Sequence, residues 1–182
     1  MAAPSGSTNL CLVKDPPSPS PSPSDSADTS QPSPEPSKKP SPSGVLLVED
    51  NEMDVFVIRE ALDRCGRNVN VRVAKDGEQA LRYLQDVEED LKSACPALVL
   101  IDLNLPKVSG IEVLAKLRRC SRCNRTPVIV VSSSDSESDR SAAAALGADA
   151  YFRKPAKLAA YMELTEVIKR VMPTSQAGDT GA

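Results

Sequence analysis

The sequence predicts an α/β fold: a doubly wound, five-stranded parallel sheet with five helices. Three observations carry that expectation. Short apolar runs alternate strictly with stretches of helical periodicity. Several of the runs are apolar without interruption, as strands covered by helices on both faces must be. Each run also ends in a polar or charged residue followed by turn chemistry, where a strand hands over to a right-handed crossover.

In chain order, Val45-Leu-Leu-Val48 is the first run, and Asn51 is a good N-cap for a helix whose apolar residues Val55, Ile58, Leu62 and Cys65 recur at helical spacing. The alternating stretch 69–74 reads as a half-exposed edge strand. Asp76-Gly77 turns into a second helix over 78–92, with Ala80, Leu81 and Leu84 on one face. The run 97–102 drives five apolar residues into one carboxylate, Asp102, before a turn with Pro106 and Gly110. A third helix spans 110–119, with Ile111, Leu114 and Ala115 inward. Pro127 introduces the apolar strand 128–131, ending at Ser132, and Asp135 is placed to cap a fourth helix that closes at Gly147. The fifth strand runs from 150 to Lys154. The last helix covers 157–171, with Leu158, Met162, Thr165 and Ile168 on one face.

Composition sets the boundaries. The stretch 1–43 holds eleven of the sixteen prolines, no aromatic residue and alternating Ser and Pro, so it is read as a disordered tail. The foldable domain is 44–172, and 173–182 is a short C-terminal tail. The net charge of −3 is spread over tail and domain, and aromatics make up 3%. Neither a basic footprint nor a base-stacking surface for nucleic acid is present. The chain has no histidine, which excludes Ser-His-Asp and Cys-His catalysis and histidine-ligated zinc. No apolar run approaches a membrane span and no export signal is evident, so a cytoplasmic protein is expected. The five cysteines, including the lone pair Cys120 and Cys123, are read as incidental thiols.

Chemistry in such sheets gathers at the carboxyl ends of the strands. The first strand offers Glu49 and Asp50, the third Asp102, the fourth Ser132 and the fifth Lys154. In the flavodoxin-like strand order 2-1-3-4-5 the first and third strands are neighbours, so three carboxylates meet in one cleft. Crowded like charges need a cation, and an all-oxygen acidic site suits Mg²⁺. Lys154 adds a mobile positive charge and Ser132 a hydroxyl donor. The combination is suited to forming an aspartyl phosphate on Asp102. Singly, each residue reads as well as a cap or a surface group; their joint placement is what points to a site.

The segments Val-Leu-Leu-Val-Glu-Asp-Asn (45–51), Leu-Ile-Asp-Leu-Asn-Leu-Pro (100–106) with Gly110, Val-Val-Ser (130–132) and Tyr-Phe-Arg-Lys-Pro (151–155) together resemble the receiver domain of two-component response regulators. The stretches 49–55 and 103–110 are most similar to stand-alone receivers that serve phytochrome-type histidine kinases. The resemblance implies that Asp102 is the phosphoacceptor. It implies that Glu49, Asp50, Asp102 and the backbone carbonyl of Asn104 hold Mg²⁺. Ser132 would contact the phosphoryl group, Lys154 would be the functional lysine, and Tyr151 an aromatic switch. Glu49 stands where many members have Asp, and Ser132 where many have Thr. The expected function is that of a single-domain phosphorylation switch rather than an enzyme. Its donor is a sensor histidine kinase in trans, and its output a homodimer or a separate target. The competing reading is an unphosphorylated pseudo-receiver acting as an interaction module. A flavin-binding protein is disfavoured, because acidic Glu49-Asp50 stands where a phosphate loop would be.

Overall fold

The computed structural model describes residues 44–66 and 69–172. The expected tails, 1–43 and 173–182, lie outside these residues. The elements are β1 (Val45–Val48), α1 (Glu52–Asp63), β2 (Val71–Ala74), α2 (Gly77–Glu89), β3 (Leu98–Ile101), α3 (Gly110–Arg119), β4 (Val128–Ser132), α4 (Glu137–Ala145), β5 (Ala150–Arg153) and α5 (Met162–Val171), with a 3₁₀ turn, Leu158–Tyr161, before α5. All strand pairings are parallel and the order is β2-β1-β3-β4-β5, as the sequence predicts.

The continuous apolar runs explain the layering. Successive strand residues point to opposite faces, so each buried strand feeds two cores. Leu46, Val48, Val99, Ile101, Val128 and Val130 pack with Leu84, Val113, Leu114 and Leu117 of α2 and α3. Val45, Leu47, Leu98, Leu100, Ile129 and Val131 pack with Ile58, Leu62, Leu164 and Ile168 of α1 and α5. The outer strand β2 is the least covered, as its sequence suggests: Arg72 is exposed and Val71 and Val73 are half-buried, but Ala74 is buried, so the expected alternation fails at its end. Among the described residues no helix is long and apolar enough to cross a membrane.

Four local expectations need correction. Helix α2 stops at Glu89 rather than 92: the Arg122 guanidinium takes the Val87 carbonyl, which a longer helix would use, and binds the carbonyls of Asp90, Leu91 and Ser93 beyond its end. The inward face of α3 is Val113, Leu114 and Leu117, with Ile111 and Ala115 only partly covered. Ser136 rather than Asp135 precedes α4; Asp135 instead pairs with Arg153 at 3.0 Å and Arg140 at 3.6 Å. Leu158 is 58% exposed, since Tyr161 takes the first inward position and Leu164, Thr165 and Ile168 continue that face.

The cysteines are not all incidental. Cys95 and Cys123 form a disulfide, with Cα atoms 5.5 Å apart, while Cys120 of the Cys120–Cys123 pair stays a buried thiol. Both are expected from the sequence to be incidental thiols, and spacing along the chain gives no sign of this pairing. The adjacency of β3 and β4 brings together the segments that lead into them, and those segments carry Cys95 and Cys123.

Candidate functional site

The carboxyl ends of β1, β3, β4 and β5 meet at one edge of the sheet. Val48 is level with Ile101, so the next residues, Glu49 and Asp102, face one another across β1 and β3, and the Asp102 N–H donates to the Val48 carbonyl at 3.0 Å. Ser132 is level with Arg153, and the Lys154 N–H donates to the Ser132 carbonyl at 2.8 Å. Parallel pairing in register therefore brings together residues from distant parts of the sequence.

Carboxylate oxygens of Glu49, Asp50 and Asp102 all lie within 4.8 Å of one another; Glu49 and Asp102 are buried and Asp50 is exposed. The Lys154 ammonium is 2.6 Å from Asp102 Oδ2, 2.8 Å from Glu49 Oε2 and 2.9 Å from Asp54 Oδ2. An ammonium has three protons, and three carboxylates compete for them. Burial pushes the Glu49 carboxyl up to about 7; the nearby Asp102 charge adds to this and Lys154 opposes it. Burial works against the Lys154 charge, but the contacts to Asp102, Glu49 and Asp54 outweigh it and hold the ammonium above the ordinary lysine range.

Glu49 Oε2 is buried and makes no aligned hydrogen bond; its contact with Lys154 is an ion pair only. A single ammonium leaves this cluster with surplus negative charge, and every donor is a hard oxygen. Such a set fits a divalent cation. With metal chelated, Glu49 binds its proton more tightly folded than unfolded, so stability falls as pH rises from the ordinary value of 4.5 through about 7. Thermal unfolding in chelator should show Tm lower by several degrees at pH 7.5 than at pH 5 through this residue. A Glu49→Gln variant should flatten that slope, and an unchanged slope would refute the assignment.

The loop after β3 frames the cleft. The Asn104 N–H donates to Asp102 Oδ1 at 3.0 Å, which orients that carboxylate. A Cβ on Gly110 would lie 2.0 Å from the Asp102 carbonyl oxygen, so only glycine allows α3 to start this close. Lys107 has φ +68°, and the Val108 N–H reaches back to the Pro106 carbonyl at 2.9 Å across it, forming a γ-turn. Its ammonium ties the loop to the start of α2 through Asp76 at 2.8 Å. That contact, helped by the Gln79 N–H, lowers the Asp76 carboxyl to about 2.

On the other side, Ser132 is fully buried, and its Oγ accepts from the Ser134 N–H at 3.3 Å. Tyr151 is half-buried; its hydroxyl donates to the Ser134 carbonyl at 3.0 Å, and Arg140 lies 4.6 Å above its ring. Tyr151 thus reaches the loop that Ser132 begins.

The structure brings Glu49, Asp50, Asp102 and Lys154 together; Asn104 bonds Asp102, Ser132 shares the strand edge with Lys154, and Tyr151 contacts the loop after Ser132. Sequence reasoning missed two participants. Asp54 contacts Lys154, and Tyr161 donates to Asp54 Oδ1 at 2.5 Å. A signal for Asp54 exists, since it lies one helical turn after Asp50 at the start of α1. Tyr161 carries no comparable mark beyond its apolar spacing to Leu164 and Ile168.

A parallel 2-1-3-4-5 sheet with an acidic cluster and a lysine at its carboxyl edge defines a class, and residues 45–166 match the response regulator receiver domain; the chain belongs to that family. It is 34% identical over 128 residues to the response regulator Rcp1 of Synechocystis, spanning 70% of this chain and 87% of that one. It is 36% identical over 128 residues to the probable methanogenesis regulatory protein FilR2 of Methanothrix harundinacea, spanning 70% and 82%. Among solved structures it is similar to the phosphorylated cyanobacterial phytochrome response regulator RcpA, with TM-score 0.64, 34% identity and coverage of 74% and 96%. The Mn²⁺-bound form of Rcp1 gives TM-score 0.65, 33% identity and coverage of 73% and 96%.

Proposed function

We propose that this protein is a single-domain response regulator that takes a phosphoryl group from a histidine kinase onto Asp102. The observation that carries the reading is the Asp102 carboxylate, buried between an acidic cluster and Lys154 at 2.6 Å. In the transfer, an Asp102 oxygen forms the bond to phosphorus as the P–N bond of the kinase phosphohistidine breaks, and the leaving imidazole is protonated by solvent. Lys154 neutralises charge developing on the phosphoryl oxygens, and the Ser132 hydroxyl donates to one of them. Mg²⁺, held by Glu49, Asp50, Asp102 and the Asn104 carbonyl, would supply further neutralisation of the same oxygens. Tyr151, hydrogen-bonded to the loop that follows Ser132, turns inward when that loop moves.

The protein on this reading catalyses only its own phosphoryl transfer and hydrolysis. The cyanobacterial phytochrome response regulators among its relatives support a phytochrome-type kinase as donor. Phosphorylation favours a homodimer or a separate target protein; nucleic acid and membrane are not partners, and the cytoplasm is the setting.

Intact-mass spectrometry after incubation with Mg²⁺ and acetyl phosphate tests the reading. A gain of one phosphoryl group, mapped to the peptide holding Asp102 and lost when metal is chelated, is expected. Phosphorylation at another residue would refute it. So would a folded protein that accepts nothing from acetyl phosphate or from a phosphorylated histidine kinase.

A further inference from the structure

Lys154 is shared between two systems. One is the cleft, through Asp102 and Glu49. The other is Asp54 on α1, which binds the ammonium through Oδ2 and the Tyr161 hydroxyl through Oδ1. Tyr161 is 4% exposed and its ring lies 6.1 Å from that of Phe152 on β5. Burial, and then the bond to Asp54, raise the phenol pKa, so it remains a donor. A continuous polar chain therefore runs from Asp102 through Lys154 and Asp54 to Tyr161, where α1 packs against the 3₁₀ turn and α5.

We propose that Asp54, held by Tyr161, is a positioning residue that competes with Asp102 for Lys154. It shares the ammonium with Asp102 in the unphosphorylated protein, at 2.9 Å against 2.6 Å, and yields it when Asp102 carries a phosphoryl group. The inference rests on the phosphoacceptor reading above. An acyl phosphate carries more negative charge than the carboxylate it replaces, so the ammonium moves towards it. Asp54 then keeps only Tyr161, and the state of Asp102 is registered between α1 and α5. Coupling of this kind is reciprocal: whatever weakens Asp54's hold on Lys154 favours the phosphorylated state.

Two substitutions have opposite expected signs. Asp54→Asn removes the competing charge and should speed phosphorylation by acetyl phosphate about threefold to tenfold, the range of one net hydrogen bond. Asp54→Glu should restore the parent rate. Tyr161→Phe removes the donor that draws charge from Asp54, strengthens its grip on Lys154 and should slow phosphorylation. A merely structural role would move both variants in the same direction. The Tyr161 side-chain carbon resonance, assigned by its loss in Tyr161→Phe, should shift on phosphorylation of the parent and stay in place in Asp102→Asn. A phosphorylated parent with an unmoved Tyr161 resonance, or Asp54→Asn reacting at the parent rate, overturns this inference alone. A parent that gains no phosphoryl group overturns both readings together.

Discussion

Replacing Lys154 by alanine should destabilise the metal-free protein by about 3–5 kcal/mol, the cost of stranding a buried charge. The residues left behind define the effect. The Glu49 side chain is 1% exposed and that of Asp102 6%, and both lose the cation they share. Asp54, with its side chain 19% exposed, suffers less, because water reaches it and Tyr161 still donates to it. Divalent metal should recover part of the loss by supplying positive charge to the same carboxylates, so the variant should gain more stability from Mg²⁺ than the parent does. Phosphorylation should slow roughly 100-fold, as when one preorganised positive or donor group is removed from developing charge. Lys154→Arg should fall between the two, since a planar guanidinium keeps the charge but cannot aim three donors at three carboxylates. Urea denaturation in chelator and in Mg²⁺, beside the phosphorylation rate, checks all four statements. Equal stability of parent and Lys154→Ala in chelator would show that the three contacts carry no net stabilisation.

The members of this cluster differ in how plainly the sequence announces them, and the reason is geometric. Glu49, Asp102, Ser132 and Lys154 each end or directly follow a short strand, and three of those strands are apolar without a break, so the residue where polarity begins marks the carboxyl edge. Parallel pairing in register then places them side by side, a step that needs only the strand order. Asp54 and Tyr161 do not lie on strands. Their meeting depends on how α1 and the turn before α5 pack over one face of the sheet, and helix periodicity gives a face but not a neighbour on another helix. The early end of α2 has a similar origin: four carbonyls claimed by Arg122 from another loop, where local propensity would have continued the helix.

Reducing the Cys95–Cys123 disulfide should lower stability by about 3 kcal/mol, which at this size is a fall in Tm of roughly 10 °C. The bridge closes a loop with a sequence separation of 28 residues, long enough for the cross-link to restrict the unfolded chain substantially. Neighbouring contacts temper the native-state consequence. Arg122 ties the same loop to the end of α2, and the Thr126 hydroxyl donates to the Pro96 carbonyl at 3.3 Å, so the two segments stay together when the bridge opens. The change therefore falls on the unfolded ensemble more than on the fold. It also falls far from the site: Cys95 and Cys123 precede β3 and β4, whereas Asp102 and Ser132 lie at the other ends of those strands. Phosphorylation by acetyl phosphate should proceed at nearly the same rate with the bridge open or closed, below the melting temperature of the reduced form. Cytosolic thiols are ordinarily kept reduced, so in that compartment the bridge would form only under oxidising conditions and tune stability without touching the chemistry. Thermal unfolding with and without reductant, with Cys95→Ser matching the reduced parent, is the check. Equal melting temperatures would mean that the cross-link adds nothing beyond the hydrogen bonds beside it.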